Sequence, residues 1–360
     1  MTDPSELAKL YGPKELKAVK AEQQQCAVRF TPCGKFLVGG GYDGLVRRWD
    51  ASGDEFAELP PLSGHGGWVS GLAFHAEGSR LYSADSWGRL RAWSYADAAP
   101  QPLWETADAH NGWIHALAVS PDGKLLATCG MDRLVRIWDA ATGGKLFELA
   151  GHAFDVLAVS FHPDGKSLAS GDLAGIVKHW DVAAGNQVRE FDARQLYLSN
   201  RLQDVGGVRS MAFDETGKML GCGGARPKVG GNVQGVPLAV LFDWTTGMAT
   251  HALEFGKDSD VYLCDFYFDA RGFIVAVTSG NPGAGKLLMQ EFDAKEPFFS
   301  IAKPNCHAVS RHPSGLRLAV TTVNANSNGN GRLKAADGAE EYPGNWSPIV
   351  IFDMPAPADA

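Results

Sequence analysis

The sequence lacks the features that mark several common classes of protein. No run of Lys or Arg forms a basic stripe, and the net charge is −8 over 360 residues, so we expect no nucleic acid among its partners. No stretch approaches the roughly 20 apolar residues of a membrane span, and the N-terminus has no apolar run of the signal-peptide type. We therefore expect a cytoplasmic protein that does not bind a membrane.

Metal-binding and disulfide patterns are missing as well. None of the six cysteines belongs to a Cys-x-x-Cys pair, so neither a zinc site nor a disulfide framework is expected. The histidines show no His-x-His or His-Glu-x-x-His spacing, which leaves no ligand set for a metal. We expect free, mostly buried thiols, no metal and no cofactor.

What the sequence does contain is an internal repeat. Each copy has an alternating strand, a polar turn ending in Gly, a strand of small residues, a tight turn and a strand ending in Trp-Asp or Trp-Ser. Four copies superpose without a gap: AVRFTPCGKFLVGGGYDGLVRRWD, GLAFHAEGSRLYSADSWGRLRAWS, ALAVSPDGKLLATCGMDRLVRIWD and AVSFHPDGKSLASGDLAGIVKHWD.

Three weaker copies follow, ending at Phe242-Asp243, Phe292-Asp293 and Phe352-Asp353. The first four copies recur about every 42 to 45 residues, the length of one propeller blade. The expected fold is therefore all-β, a seven-bladed β-propeller of four-stranded antiparallel blades. The repeats cover approximately residues 23–50, 64–95, 109–139, 151–181, 206–243, 260–293 and 304–353.

These units resemble the WD-repeat family, whose blades carry buried His, Ser/Thr, Asp and Trp side chains hydrogen-bonded in series. The third unit matches all four positions, whereas the second and fourth have Trp87 and Ala174 at the Asp position, and the first keeps only Asp43 and Trp49. The remaining matched residues are His65, Ser83, Trp93, His110, Thr128, Asp132, Trp138, His152, Ser170 and Trp180.

A Ser-His-Asp arrangement can also activate a nucleophile. Here the set recurs in successive units and ends on Trp, which favours a buried network that fixes the turns of each blade. We accordingly expect no catalytic residue.

The resemblance also implies how the ring closes. In the family each repeat spans the outer strand of one blade and the three inner strands of the next, so the last unit needs an outer strand from elsewhere. The alternating segment Leu16 to Glu22 is the predicted closing strand. Before it, Asp3-Pro4-Ser5-Glu6 predicts a short helix that ends at Gly12-Pro13. We predict a helical extension over 1–13 and the propeller over 14–354, with the helix packed on the outer edge or, alternatively, serving as a docking peptide.

Partner binding is expected on one face. In the family, the loop entering the inner strand of a blade and the loop joining its second and third strands emerge on the same, narrow face, and the residue before the inner strand points to the mouth of the central channel. Exposed aromatic residues at such positions are typical of protein-binding hot spots. Alternatively, Trp68 and Trp113 pack against neighbouring blades. The predicted mouth residues are Gln24, Trp68, Trp113, Asp155, Gly207, Tyr262 and Asn305.

Extra residues are concentrated in units five to seven. The segments 193–207, 223–237, 279–285 and 324–348 fall at connections to the same face and could form a raised wall there. Tolerated insertions without a role are the alternative. Candidate contacts in these segments are Arg194, Tyr197, Arg201, Arg226, Tyr342 and Trp346.

The resemblance implies a non-catalytic scaffold that binds a protein or peptide on the narrow face. Because the ring has closed edges, we expect the protein to be monomeric by itself. Two alternatives remain open: a propeller that binds a small polar ligand, and a propeller hydrolase with a metal at the channel mouth. The predicted mouth residues include a single carboxylate, Asp155, which is a poor ligand set for a divalent cation.

Overall fold

A computed structural model of the chain describes residues 3–75, 77–200, 202–229, 234–256, 262–280, 283–323, 333–334, 340–341 and 347–356. Within this part of the chain, seven four-stranded antiparallel sheets follow one another as the blades of a propeller. The chain enters through helix α1 (Pro4–Tyr11) and strand β1 (Lys14–Ala21). The predicted all-β, seven-bladed fold is confirmed.

Blades 1 to 4 are each a simple meander, with the innermost strand first. Blade 1 consists of β2 (Gln25–Phe30), β3 (Phe36–Gly41), β4 (Val46–Asp50) and β5 (Glu58–Leu62), and blade 2 of β6 (Val69–Phe74), β7 (Leu81–Asp85), β8 (Leu90–Trp93) and β9 (Pro102–Thr106). Blade 3 consists of β10 (Ile114–Val119), β11 (Leu125–Gly130), β12 (Val135–Asp139) and β13 (Lys145–Leu149), and blade 4 of β14 (Val156–Phe161), β15 (Ser167–Asp172), β16 (Ile176–Asp181) and β17 (Asn186–Asp192).

The connection from blade 4 to blade 5 has structure of its own. It forms a 3₁₀ helix (Arg194–Leu196) and a hairpin of β18 (Tyr197–Asn200) and β19 (Gln203–Gly206). Blade 5 consists of β20 (Ser210–Phe213), β21 (Met219–Val229), β22 (Gln234–Asp243) and β23 (Ala249–Glu254), and blade 6 of β24 (Tyr262–Asp269), β25 (Phe273–Ser279), β26 (Gly285–Glu291) and β27 (Phe299–Ala302).

Blade 7 closes the ring with strands from both ends of the chain. Its inner strands are β28 (Val309–Arg311) and β29 (Arg317–Thr321), followed by β30 (Leu333–Lys334) and β31 (Glu340–Glu341) as a separate pair and by β32 (Ser347–Asp353). Strand β1 pairs antiparallel with β32 from Lys14 opposite Asp353 to Ala21 opposite Ser347. The predicted closing strand is confirmed, although it begins two residues earlier than expected.

The hydrophobic core is divided among the interfaces between blades. Between blades 1 and 2, for example, Val38 and Leu62 pack with Val69 and Trp93, and between blades 7 and 1 Val19 of the closing strand packs with Trp49. No blade can bury both its faces alone, so the interfaces make the ring a single cooperative unit.

Helix α1 packs on the outer side of blade 6. The Asp3 carboxylate accepts a hydrogen bond from the Ser5 amide at 2.8 Å and caps the helix, as the sequence predicted. Leu7 is buried, and the Tyr11 ring lies 5.4 Å from that of Phe273. Packing on the outer edge is thus the arrangement found.

One predicted loop is wrong. Segment 223–237 was expected as a hairpin tip, but β21 and β22 continue their ladder through most of it, with Ala225 opposite Pro237 and Arg226 opposite Val236. Pro227 sits next to a register shift, where a missing N–H disturbs the ladder least. The hairpin of blade 5 therefore projects as a paired ribbon.

Because the strands alternate in direction, the 2–3 turn of each blade and the loop entering the next inner strand lie on the same side of the disc. We call this side the narrow face. It carries the loops on which the binding prediction rests.

Candidate functional site

The buried network of blade 3 has all four predicted members. His110 Nδ1 lies 2.8 Å from Asp132 Oδ1, its Nε2 lies 2.7 Å from Thr128 Oγ1, and Trp138 Nε1 donates to the same hydroxyl at 2.8 Å. Burial opposes ionisation of Asp132, but hydrogen bonds from His110 and Arg136 outweigh it and lower the carboxyl pKa. The network joins two loops of the narrow face to the middle of the blade.

Blade 2 contains the same network with a displaced carboxylate. His65 Nε2 lies 2.6 Å from Ser83 Oγ, which also accepts from Trp93 Nε1 at 2.8 Å, while His65 Nδ1 lies 3.0 Å from Asp85 Oδ2. Asp85 stands two residues before Trp87, at the last position of β7. The expectation that this blade lacks the acid is therefore wrong.

Blade 4 shows the same displacement. His152 lies 2.9 Å from Asp172 Oδ2 and 2.8 Å from Ser170 Oγ, which accepts from Trp180 Nε1 at 2.7 Å. Asp172 stands two residues before Ala174. The Ser170 side chain is fully buried, and its oxygen already has two hydrogen-bond partners. These surroundings are typical of a network that stabilises the blade.

The Asp85 carboxylate also fixes the surface loops of blade 2. It accepts from the amides of Gly66 at 3.1 Å, Trp87 at 3.0 Å and Arg89 at 2.9 Å. The Trp68 amide in turn donates to Ser86 Oγ at 3.0 Å. A buried acid thus holds the two loops that present Trp68 and Trp87.

Four aromatic side chains meet on the narrow face of blades 1 to 3, and we call them the aromatic patch: Tyr42, Trp68, Trp87 and Trp113. The Trp68 ring stacks on Tyr42 with 4.4 Å between centroids and meets Trp113 edge-on at 5.5 Å. Trp68 is 42% exposed and Trp87 71% exposed. Together they line a depression of about 470 Å³.

The patch is held rigidly from below. A side chain on Gly66 or Gly67 would collide with the Trp87 ring, at 2.7 and 2.9 Å from its nearest carbon atoms, so the two glycines let the indole lie flat on the backbone. Trp113 stacks on His115 at 5.2 Å. The patch therefore presents a large apolar area on side chains with little freedom to lose on binding.

The other predicted mouth residues occupy equivalent positions in their blades, but most of them have polar contacts instead of aromatic ones. Gln24 Nε2 lies 2.9 Å from His307 Nε2, and the Arg209 guanidinium lies 4.3 Å above the Tyr262 ring. Asp155 precedes β14, and burial raises its pKa. Gly207 and Asn305 occupy the corresponding loops with positive φ angles of 89° and 42°. The aromatic residues thus gather in one sector, and polar residues occupy the rest of the mouth.

A second ring of residues lies two positions further along each inner strand. Its members line a central void of about 180 Å³: Cys26, Ser70, His115, Leu157, Arg209, Cys264 and His307. In blades 1, 2, 3, 4 and 6 this residue falls at a register shift in the ladder. Such a bulge re-aims a side chain out of the sheet. We call these seven residues the channel ring.

The candidate residues of the inserted segments lie apart from the aromatic patch. Arg194 pairs with Asp192 at 2.8 Å, and the Tyr197 hydroxyl donates to Asp204 at 2.6 Å. Arg226 forms an ion pair with Glu254. Arg201, Tyr342 and Trp346 lie outside the described residues.

Among the described residues, no group of three or more His, Cys, Asp or Glu side chains is placed to hold a metal ion. No described helix is long and apolar enough to cross a bilayer. The six cysteines are free, with Cys33 exposed.

Comparison with known families agrees with this geometry. The model of the WD domain, G-beta repeat, matches residues 14–50, 57–94, 102–139 and 143–181, each match spanning an outer strand and the next three inner strands. Blades 1 to 4 thus match WD repeats, and the chain as a whole is similar to the WD-repeat β-propellers. WD-repeat proteins generally act as protein-interaction scaffolds.

Several proteins are similar to parts of this chain. A stretch of 69 residues, 19% of the chain, is 42% identical to 9% of the "Probable serine/threonine-protein kinase PkwA" of Thermomonospora curvata. WD repeat-containing protein 90 of Homo sapiens is 30% identical over 34% of the chain and 7% of its own length. WD repeat and FYVE domain-containing protein 2 of Caenorhabditis elegans is 36% identical over 21% of the chain and 18% of its own length. The chain thus spans less than a fifth of each relative.

Sequence reasoning missed four residues of this site. Tyr42 and Trp87 stand in 2–3 turns rather than before an inner strand, and Asp85 and Asp172 stand two residues before the family's position. An apolar residue in a tight polar turn was the available signal for Trp87. The displaced acids could have been found by asking which nearby carboxylate could reach each buried His.

Proposed function

We propose that this protein is a non-catalytic scaffold that binds a segment of a protein partner on the aromatic patch. The observation that carries the proposal is the set of contacting rings of Tyr42, Trp68 and Trp113, with Trp87 beside it, around an open depression. Burying large aromatic side chains against a partner supplies most of the binding free energy at hot spots.

The rigidity of the patch supports the same function. Asp85 and Ser86 hold the loops of Trp68 and Trp87 through hydrogen bonds to the backbone. A preorganised surface loses little conformational entropy when a partner binds. Asp155, Gln24, Tyr262 and Asn305 are proposed as a polar rim, and Arg194 and Tyr197 as contacts for a longer partner. Arg201 and Trp346 remain predicted contacts from the sequence.

The test compares the partners captured from native lysate by the wild type and by Trp68→Ala/Trp87→Ala. The matched control is Leu103→Ala/Leu146→Ala, which removes two exposed apolar side chains from the outer strands of blades 2 and 3. Circular dichroism and urea unfolding establish that all three proteins fold alike. We expect at least a tenfold loss of specific partners with the tryptophan variant only, confirmed with a purified partner.

Equal capture by wild type and tryptophan variant would contradict binding at the patch. If no protein is captured by any of the three, the alternative of a small polar ligand gains support. A hydrolase is disfavoured by the absence of a candidate metal-ligand cluster in the described part of the chain.

A further inference from the structure

The channel ring differs from the aromatic patch beside it in its polar groups. Those that remain without a partner are mainly hydrogen-bond donors. Four members already have partners. Cys26 Sγ donates to the Val69 carbonyl at 2.9 Å, and Ser70 Oγ donates to the Ile114 carbonyl at 2.5 Å. Cys264 Sγ lies 3.0 Å from Ser279 Oγ, and His307 Nε2 accepts from Gln24 Nε2 at 2.9 Å. Cys26 and Ser70 therefore tie their blades to the next, and the single proton of each is already used.

Among the described residues, one carboxylate lines the void, and it is committed as well. Asp265 Oδ2 accepts from Arg29 Nη1 and from the Val309 amide, both at 3.1 Å, and its Oδ1 accepts from the Phe266 amide at 3.0 Å. The Arg29 and Asp265 charges cancel. The lining therefore offers no free acceptor of full negative charge.

Arg209, His115 and Ser210 bring further polar groups to the lining. The Arg209 guanidinium has the Tyr262 ring beneath it and no carboxylate within ion-pair distance among the described residues. Over the same part of the chain, His115 Nε2 and Ser210 Oγ are buried without a hydrogen-bond partner. Ser210 is 8% exposed. Buried polar groups without partners are rare and point to a missing ligand or water.

We infer that the channel ring binds a carboxylate, supplied by an acidic side chain of the partner segment that lies on the aromatic patch. The guanidinium of Arg209 provides the charge, and His115 Nε2 and Ser210 Oγ provide hydrogen bonds. The void of about 180 Å³ admits a side chain but not a folded element. This inference rests on the proposed function only for the source of the carboxylate, which is the partner segment. Binding of a carboxylate to the ring does not depend on it.

The two sites are contiguous through one stacked pair. Trp113 belongs to the patch and His115 to the ring, and their rings stack 5.2 Å apart. A segment lying over Trp113 thus brings its next side chain to the channel mouth. Asp155 lies at that mouth on blade 4, where it will disfavour an acid approaching from that side; Arg209, on blade 5, marks the favourable side.

The test needs no partner protein. The full chain, labelled with ¹³C at histidine Cε1, is titrated at pH 7.5 with sodium acetate at constant ionic strength kept with sodium chloride. We expect a saturable shift of the His115 signal, at least fivefold weaker in Arg209→Gln. The matched control is Arg311→Gln, an exposed arginine at the end of β28 that does not line the void, which should titrate like the wild type.

Two outcomes would overturn the inference: a His115 shift that is unsaturable or equal with chloride alone, or one that Arg209→Gln leaves unchanged. Inorganic phosphate is titrated in parallel. If phosphate saturates the site at lower concentration than acetate, the ring is a site for a free oxyanion and the assignment to a carboxylate fails.

A second probe tests the link to the patch. N-acetyl-Leu-Glu amide should move the His115 signal together with the indole signals of Trp68 and Trp113, whereas N-acetyl-Leu-Gln amide should move the indole signals only. Equal effects on His115 would overturn the acidic subsite. Binding of acetate with no indole response to either peptide would leave the channel ring intact and count against the aromatic patch, so the two failures are distinguishable.

Discussion

His312 in blade 7 donates from Nε2 to the backbone carbonyl of Gly34 in blade 1, at 3.0 Å. The bond crosses the seam where the two ends of the chain meet. His162 makes the same contact with the Gly217 carbonyl across the interface of blades 4 and 5, at 2.9 Å. A histidine in one strand 1–2 turn thus reaches the turn glycine of the next blade, on the side opposite the narrow face.

The seam bond predicts a stability effect. His312→Ala removes the donor to Gly34 and the edge-on contact of the imidazole with Phe30, at 5.0 Å. We expect the free energy of unfolding to fall by about 1 to 2 kcal/mol. Urea unfolding followed by tryptophan fluorescence measures it, with Lys35→Ala, an exposed side chain next to Gly34, as the control. A loss no larger than that of the control would show that the bond contributes nothing to closure.

Closure by β1 predicts a stronger effect at its buried face. Val19 is 5% exposed and packs in the core between blades 7 and 1, whereas Leu16 on the same strand is 36% exposed. Val19→Asp buries an unpaired carboxylate and should lower the free energy of unfolding by about 3 kcal/mol or more. Leu16→Asp should change it by less than about 1 kcal/mol. Similar losses for both would mean that β1 does not stabilise the ring.

The displaced acids predict equal roles for Asp85 and Asp132. Replacing Asp85 by Ala leaves His65 Nδ1 and three backbone amides without their acceptor. We expect Asp85→Ala and Asp132→Ala each to lower the free energy of unfolding by about 3 kcal/mol. The exposed Asp108→Ala is the control. If Asp85→Ala left the free energy of unfolding unchanged, the network of blade 2 would not depend on an acid.

The fold could be predicted from the sequence because its signals are local and repeated. Trp-Asp at the end of a strand and Gly in the preceding turn recur at blade spacing, and Phe-Asp replaces Trp-Asp in blades 5 and 7 without altering the strand pattern. In blade 6 the expected pair Phe292-Asp293 lies past the end of β26, and the buried Gln290 takes the position of the Trp, so the predicted end of this unit is wrong. In blades 5 and 7 the Phe side chain fills the same space between blades as the Trp. Phe242 and Phe352 are as deeply buried as Trp49.

Parts of the site could not be predicted because they depend on contacts between segments far apart in the sequence. Asp85 replaces an acid two residues later only because the carboxylate reaches the same imidazole in three dimensions. The bulge at His115, which turns its side chain into the channel, leaves no mark in the alternation of residues. The partnership of Tyr42 with Trp68 joins two blades.

Buried histidines predict acid sensitivity. Burial lowers the pKa of His307 to about 4, burial and Arg209 lower that of His115 to about 4, and burial and Arg189 lower that of His179 to about 4. The unfolded chain takes up these protons near pH 6.5 and the folded chain only near pH 4. Between these values the unfolded state binds more protons, so stability is complete above pH 6.5 and falls as the pH is lowered.

Urea midpoints measured at pH 7.5, 6.5, 5.5 and 5.0 test this expectation. These pH values lie above the pKa of carboxyl groups in the unfolded chain, so protonation of carboxylates does not contribute to the fall in stability. Asp85 is an example: burial raises its pKa, but hydrogen bonds from His65 and the loop amides outweigh this effect and hold the pKa at about 2. We expect a steady fall in midpoint below pH 6.5. The fall should be smaller in His179→Gln, which removes one titrating group from the interface with Trp244, 4.4 Å away. Midpoints that stay constant from pH 7.5 to 5.0 would mean that these imidazoles titrate in the folded protein as they do in the unfolded chain.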